Sequence, residues 1–163
     1  MQFVSADILD LPFKRNQFDY CFFCFVLEHF HDPVKILRQV SNVVKSEGSI
    51  RAIECDLGAA VFSPYTEDIQ AVTSGAIKYH AHCGGIPNMG SCLESVMKNA
   101  KLRDIKSEKI HINTQDPVNG MHAFKVLEEI LIPVYKGMKE QMINAKYIKK
   151  EKYYRGMGQL EFF

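Results

Sequence analysis

The sequence predicts an α/β fold with a mostly parallel sheet, flanking helices and a helical C-terminal part. A continuous apolar run, Tyr20 to Leu27, has the length and composition of a strand that is buried on both faces. A helical pattern follows, and a second apolar run, Ile50 to Cys55, comes directly after it. Strand, helix and strand in close succession form a βαβ unit, which is typical of parallel sheets.

Length and composition predict one domain that spans residues 1–163 and has no strong electrostatic field. The chain has 163 residues and a net charge of +1, so nothing in the total charge attracts nucleic acid or an anionic membrane. Its five cysteines are irregularly spaced, the N-terminus lacks a signal pattern, and no apolar run approaches the ~20 residues of a membrane span. We therefore expect a cytoplasmic chain with free thiols and no membrane partner.

The clearest helix follows the first long strand. Asp32 is placed to cap it and Pro33 suits its first turn. Gly48 is expected to end the helix. Between Pro33 and Gly48, apolar residues recur at helical spacing: Ile36, Leu37, Val40, Val43 and Val44.

Other elements are predicted from weaker patterns. Phe3 to Ala6 and Ile105 to Ile112 are predicted as strands, and Gly84 to Pro87 as a loop. Four helices are predicted: Ser63 to Thr73, one that a capping box opens at Ser91, Met121 to Ile132 with a break or kink at Pro133, and Lys136 to Lys152.

Five segments, in this order, carry a resemblance to a known family: Ser5 to Phe13, Gln17 to Tyr20, Val26 to Pro33, Val43 to Gly48, and Gly85 to Gly90 with Ala100 to Ile105. Together they resemble the class I S-adenosylmethionine-dependent methyltransferases, especially the ubiquinone and menaquinone biosynthesis branch. The resemblance covers roughly Phe3 to Ile112 and implies an incomplete Rossmann-like sheet.

The sequence also departs from that family. It contains no Gly-x-Gly-x-Gly loop, and the strand whose acidic end normally holds the cofactor ribose is missing. Four further positions hold residues that are unusual in the family: Ser46, Glu47, Lys101 and Leu102. We therefore expect an N-terminally truncated methyltransferase-like domain that binds S-adenosylmethionine weakly or not at all by itself.

The resemblance implies roles for four residues at the cofactor. Asp7 matches the acceptor for the adenine amino group, and Ile8 would cover the adenine face. Cys24 and Phe25 stand where the family lines the methionine and methyl-transfer region. The alternatives are a solvated or capping carboxylate for Asp7 and core packing for Phe25.

Two clusters are predicted to meet a small-molecule substrate. His29 is the acid/base candidate, with Glu28 beside it, and both residues are alternatively surface groups. Tyr79, His80 and His82 form a second cluster in a segment that varies among such enzymes and is predicted as a substrate loop. Glu54 and Asp56 end the second long strand, where they either touch substrate or meet solvent.

Metal and nucleic-acid sites are not predicted. Cys21 and Cys24 lie three apart on a strand, so they face opposite sides, and His80, His82 and Cys83 match no closed zinc spacing. A basic aromatic segment near the C-terminus is interpreted as a solvated helix face: Lys146, Tyr147, Lys149, Lys150, Lys152, Tyr153, Tyr154 and Arg155.

Two functions follow from these patterns. The first is small-molecule C- or O-methylation. The second is a non-catalytic module that acts through dimerisation or partner binding. Because the family's first two strands are missing, the resemblance implies that the strand Tyr20 to Leu27 has an open hydrophobic edge. We expect either Phe3 to Ala6 or a second copy of the chain to cover it.

Overall fold

The computed structural model describes residues 2–116 and 120–162, and these divide into two compact units. Unit 1 comprises Met1–Asp56 and Gly84–Ser107, and unit 2 comprises Leu57–Cys83 and Glu108–Phe163. The α/β class, the parallel strands and the helical C-terminal part are confirmed. The assignment of the chain to a single domain stays a prediction.

Unit 1 is built on one βαβ motif. Strand β1 (Phe18–Cys24) and strand β2 (Val44–Ile53) are parallel, with Cys24 opposite Ile53, and helix α1 (Pro33–Val43) connects them. Asp32 caps α1 as predicted, since its carboxylate accepts the backbone N–H of Lys35 at 2.9 Å. The predicted end at Gly48 is wrong, because Val44 already turns into β2.

The core of unit 1 lies on one face of this sheet. Phe23 and Leu27 are buried there together with the apolar stripe of α1. On the opposite face of the sheet, Tyr20, Phe22 and Ile53 are between 44% and 51% exposed. The sheet is therefore covered on one side and has an apolar surface on the other.

Two strand predictions are wrong. Phe3 to Ala6 is exposed and forms no ladder, and Ile105 to Ile112 is also without strand structure. Both segments were predicted as strands from their sequence, yet in the described residues no neighbouring strand offers them hydrogen bonds, and an unpaired strand is not stable in water. The expected pairing of Phe3 to Ala6 with β1 is therefore also wrong within the chain.

Two further helices were predicted with wrong starting residues. Helix α2 (Glu67–His82) begins at Glu67, with Thr66 as its cap, rather than at Ser63, and it runs well past Thr73. Helix α3 (Met89–Asn99), in unit 1, begins two residues before Ser91, so the predicted capping box is not formed. The predicted loop from Gly84 to Pro87 is confirmed.

Unit 2 is helical, and its C-terminal helices are shorter than predicted. Helix α4 (Gly120–Val126) passes through a π-helical turn (Leu127–Leu131) into helix α5 (Ile132–Gly137). The π turn ends two residues before Pro133, which lacks a backbone N–H. Instead of one helix from Lys136 to Lys152, the chain forms helices α6 (Lys139–Asn144) and α7 (Lys150–Leu160).

Helices α2 and α7 form the centre of unit 2. Gly156 of α7 lies so close to α2 that an added Cβ would be 2.3 Å from the backbone oxygen of Asp68. Arg155 makes a two-point ion pair with the Asp68 carboxylate, at 2.7 and 3.0 Å. This pair keeps the pKa of Asp68 below its usual value.

Candidate functional site

The candidate site of unit 1 lies at the carboxyl ends of β1 and β2. Phe25 directly follows β1 and has a φ of +53°, in the left-handed region that large side chains rarely adopt. Its N–H donates to the backbone oxygen of Ile53 at 2.9 Å, so the strained residue is held against β2. Strained backbone of this kind is concentrated at functional sites.

The carboxylate of Glu54 holds the turn that follows Phe25. It accepts the backbone N–H groups of Val26, Leu27 and Glu28 at 3.1, 2.9 and 3.2 Å. These groups begin the short 3-10 helix Leu27–His29, where the unpaired donors of a helix start favour an anion. Glu54 is thus engaged in building the site.

Glu28 is buried beside Cys55 and His29. It is 7% exposed, and its Oε2 accepts the Cys55 thiol at 3.3 Å. Its Oε1 lies 3.7 Å from Nε2 of His29, whose side chain is 60% exposed. A buried carboxylate therefore lies near an accessible imidazole, at a distance longer than a hydrogen bond.

Cys55 is an unreactive thiol in this setting. Burial, followed by the nearby negative charge of Glu28, raises the pKa of Cys55 to about 12. The thiol therefore stays protonated and can keep donating to Glu28 throughout the physiological range.

We predict that thiol reagents separate Cys55 from Cys24. At pH 8, Cys24 is exposed and is expected to be alkylated at least ten times faster than Cys55, because the thiolate is the reactive form. Iodoacetamide labelling followed by peptide mass spectrometry measures both rates in one sample. Equal rates in the folded protein would contradict the assigned environment.

The same raised pKa predicts a loss of stability at alkaline pH. Above the unfolded value of about 9 and up to about 12, the unfolded thiol loses its proton while the folded one keeps it, so the free energy of unfolding falls. In urea denaturation between pH 9 and 11, Cys55→Ala is expected to remove part of this fall.

Residues 84–91 pack against the same site. The N–H of Ile86 donates to the backbone oxygen of Glu28 at 2.8 Å, and the N–H of Gly90 donates to that of Cys55 at 3.1 Å. Asp56 accepts the backbone N–H of Ser91 at 2.8 Å and also its hydroxyl. Asp56 therefore anchors the first turn of α3 instead of meeting free solvent.

The residues predicted at the cofactor lie in unit 1. Asp7 is exposed, and one oxygen accepts the N–H of Leu9 at 2.8 Å in a tight turn. Ile8 is half-buried against the unit 1 core. Cys24 is exposed at the end of β1, and Phe25 follows it.

The second predicted cluster lies in unit 2, on a helix. Tyr79, His80 and His82 occupy the last turn of α2, so their placement in a loop is wrong. His80 is 6% exposed, while His82 is exposed and packs edge-on against the ring of Tyr147. A hydrogen bond with Cys83 is the main cause that raises the pKa of Tyr79. Their substrate roles stay predictions.

The importance of Glu54 and Cys55 was missed in the sequence. Their contacts depend on the register between β1 and β2, which sets Cys24 beside Ile53. A polar triplet, Glu54 to Asp56, at the end of an otherwise apolar strand was the available signal.

The comparisons with known proteins concern the same part of the chain. Residues 1–52 match the model of a family described as a methyltransferase domain. The chain is also 26% identical over 80 residues to the ubiquinone/menaquinone biosynthesis C-methyltransferase UbiE of Bdellovibrio bacteriovorus. The resemblance to the class I methyltransferases is confirmed.

The extent of this methyltransferase similarity is limited. The alignment with the Bdellovibrio protein covers 46% of this chain and 34% of the relative, so the chain spans about a third of that protein's length. The matched residues 1–52 include the βαβ motif up to Ala52 and the six predicted site residues of unit 1: Asp7, Ile8, Cys24, Phe25, Glu28 and His29.

The described part of the chain has neither a metal-binding cluster nor a helix that could span a membrane. Within the described residues, no three His, Cys, Asp or Glu side chains are grouped so that they could hold a metal ion. None of the helices in those ranges is long and apolar enough to cross a membrane. The cytoplasmic location stays a prediction.

Proposed function

We propose that the chain is an S-adenosylmethionine-dependent methyltransferase whose site lies at the carboxyl ends of β1 and β2. The observation that supports the proposal is that the family match and the candidate site lie in the same part of the chain. The methyltransferase-domain match covers residues 1–52, and the strained Phe25 and the buried Glu28 lie within this range. Ligands of open α/β sheets bind at the carboxyl ends of the strands.

The residues of unit 1 fit the adenine end of the cofactor. Asp7 uses one oxygen in its turn with Leu9 and has a second oxygen as an acceptor for an amino group. Ile8 supplies an apolar surface beside it. When bound, S-adenosylmethionine supplies an activated methyl group on a sulfonium. The sequence contains no Gly-x-Gly-x-Gly loop to bring backbone N–H groups against the cofactor. We therefore propose that this chain by itself binds S-adenosylmethionine weakly.

His29 and Glu28 are proposed to remove the acceptor's proton. Methylation at a carbon or a hydroxyl needs a base, and the accessible imidazole of His29 has the Glu28 carboxylate 3.7 Å away. The buried Glu28 carboxylate stabilises the imidazolium that forms. The Cys55 thiol donates to this carboxylate and orients it. The name of the Bdellovibrio relative specifies C-methylation, which supports carbon as the acceptor atom.

The expected effect of His29→Asn is a loss of about a hundred-fold in the rate of methyl transfer, since a positioned base contributes at least this much. The assay follows radiolabelled methyl from S-adenosylmethionine to a panel of small phenols and β-dicarbonyl compounds. His31→Asn is the control, because His31 is also exposed and lies on the same connection.

Two results of this assay would contradict the proposal. If His29→Asn and His31→Asn transferred methyl groups at the same rate, the role of His29 would be wrong. If the unaltered chain transferred none at millimolar cofactor, the catalytic proposal itself would fail.

The second candidate function is a non-catalytic module that acts through dimerisation or partner binding. The observation that favours it is the exposed apolar face of the sheet. A chain that forms a defined complex and fails to bind S-adenosylmethionine would support this second function.

A further inference from the structure

We propose that Asp56 is a positioning residue of the site at the carboxyl ends of β1 and β2. Its carboxylate fixes the start of α3, and the residues just before α3 hold the backbone of Glu28. The inference rests on the proposed function, because the site that Asp56 positions is the proposed methyl-transfer site. Asp56 acts through other residues and is not itself a catalytic residue.

The first step is the contact between Asp56 and α3. The helix receives no side-chain hydrogen bond from its own cap residue, Asn88. Asp56 supplies one instead, since it accepts the backbone N–H of Ser91 at 2.8 Å and also the Ser91 hydroxyl. The helix dipole favours a negative charge at this position. The start of α3 is therefore tied to the segment that follows β2.

The second step is the close packing at Gly90. Its N–H donates to the backbone oxygen of Cys55 at 3.1 Å. An added Cβ at Gly90 would lie 3.0 Å from the backbone oxygen of Glu54 and 3.2 Å from the carbonyl carbon of Cys55. Because these neighbours are backbone atoms, a side chain at position 90 would push the two segments apart. The first turn of α3 thus lies directly against residues 54–56.

The third step leads from α3 back to Glu28. The N–H of Met89 donates to the backbone oxygen of Ile86 at 3.2 Å, and the N–H of Ile86 donates to the backbone oxygen of Glu28 at 2.8 Å. Met89 is fully buried in the core of unit 1, so this short bridge is packed as well as hydrogen-bonded. A displacement of the first turn of α3 therefore moves the group that holds the Glu28 carbonyl.

Glu28 is consequently held by three successive residues that follow β2. Glu54 accepts its N–H at 3.2 Å, and the Cys55 thiol donates to its carboxylate at 3.3 Å. Asp56 acts on the remaining group, the carbonyl, through the start of α3. His29 follows Glu28 directly in the chain, so its position depends on the same support. A misplacement of about 1 Å at a reacting group costs about a hundred-fold in rate.

The test compares Asp56→Ala with Asp56→Asn. Asparagine keeps an oxygen for the Ser91 N–H, and its amide group can donate to the Ser91 hydroxyl, so Asp56→Asn should preserve the link. Asp56→Ala removes both contacts. Glu94→Ala is the control, since Glu94 is an exposed acid on the same helix and pairs with Lys98.

NMR of the full chain measures the positioning without an activity assay. In Asp56→Ala, the backbone amide of Ile86 should exchange with solvent about ten-fold faster, and the resonances of Glu28 and His29 should shift. In Asp56→Asn and Glu94→Ala, the exchange rate and the resonances should stay as in the unaltered chain.

Rate measurements separate this proposal from the proposed function. Asp56→Ala should lower kcat for methyl transfer about ten-fold and leave KM for S-adenosylmethionine within about two-fold, because it removes no contact with the cofactor. Asp56→Asn should restore the rate. If the unaltered chain transfers no methyl groups, the proposed function fails, while the NMR comparison still decides whether Asp56 positions Glu28.

Three results would overturn the proposal. The first is an Asp56→Ala chain in which the Ile86 amide and the Glu28 resonances are unchanged. The second is an Asp56→Asn chain that behaves like Asp56→Ala, which would assign Asp56 a role that needs its charge. The third is an equal effect of Glu94→Ala. If circular dichroism shows that Asp56→Ala is poorly folded, Gly90→Ala replaces it, because it displaces α3 without removing a polar group and makes the same prediction.

Discussion

Gly156→Ala is expected to lower the free energy of unfolding by about 2–3 kcal/mol. The added Cβ would lie 2.3 Å from the backbone oxygen of Asp68 and 2.7 Å from Cγ2 of Val72. Because the first neighbour is backbone, rotation of a side chain cannot relieve the contact. Helices α2 and α7 must therefore move apart, which loosens the core of unit 2.

The matched control for this change is Gly158→Ala, two residues further along α7. No atom lies within 4 Å of an added Cβ there, so the higher helix propensity of alanine should stabilise the protein by up to about 1 kcal/mol. Urea denaturation followed by circular dichroism at 222 nm measures both variants. The account of the α2–α7 contact would be wrong if the two variants were equally stable.

Glu54→Ala is expected to cost about 3 kcal/mol, because it leaves three partly buried N–H groups without their charged acceptor. The turn after Phe25 would lose the group that fixes it, and the position of His29 would change with it. Hydrogen exchange should therefore become faster at the amides of Val26, Leu27 and Glu28.

Glu47→Ala is the control for Glu54, since Glu47 is exposed and lies on β2, the strand that Glu54 directly follows. It should change the free energy of unfolding by less than about 0.5 kcal/mol and leave those three amides protected. If Glu54→Ala gave the same small change and the same exchange rates, Glu54 would not be the group that holds the turn.

The parts of the fold that were predicted correctly depend on local signals. Asp32 and Pro33 mark the start of α1 because a cap and a fixed φ act within one turn. The strands Phe3 to Ala6 and Ile105 to Ile112 were predicted wrongly because their stability depends on neighbours that are distant in the sequence or lacking. A strand pattern specifies how a segment pairs but not whether a partner is present.

The same division applies to the candidate site. Glu28 and His29 were predicted because they follow an apolar strand, where ligands of α/β proteins bind, and their roles stay predictions. The contacts of Glu54 with Val26 and of Cys55 with Glu28 join residues 26 to 28 positions apart. The composition of a segment does not encode such contacts, so they became visible only in the structure.

The most direct test of the central claim is a titration of the chain with S-adenosylmethionine, followed by NMR at the backbone amides. We expect saturable shifts at Asp7, Ile8, Cys24 and Phe25, with a dissociation constant above about 100 µM. Asp7→Ala should abolish them, and Asp10→Ala, at a neighbouring exposed acid, should not. Shifts that are absent at millimolar cofactor, or that survive Asp7→Ala, would contradict a methyltransferase site at the ends of β1 and β2.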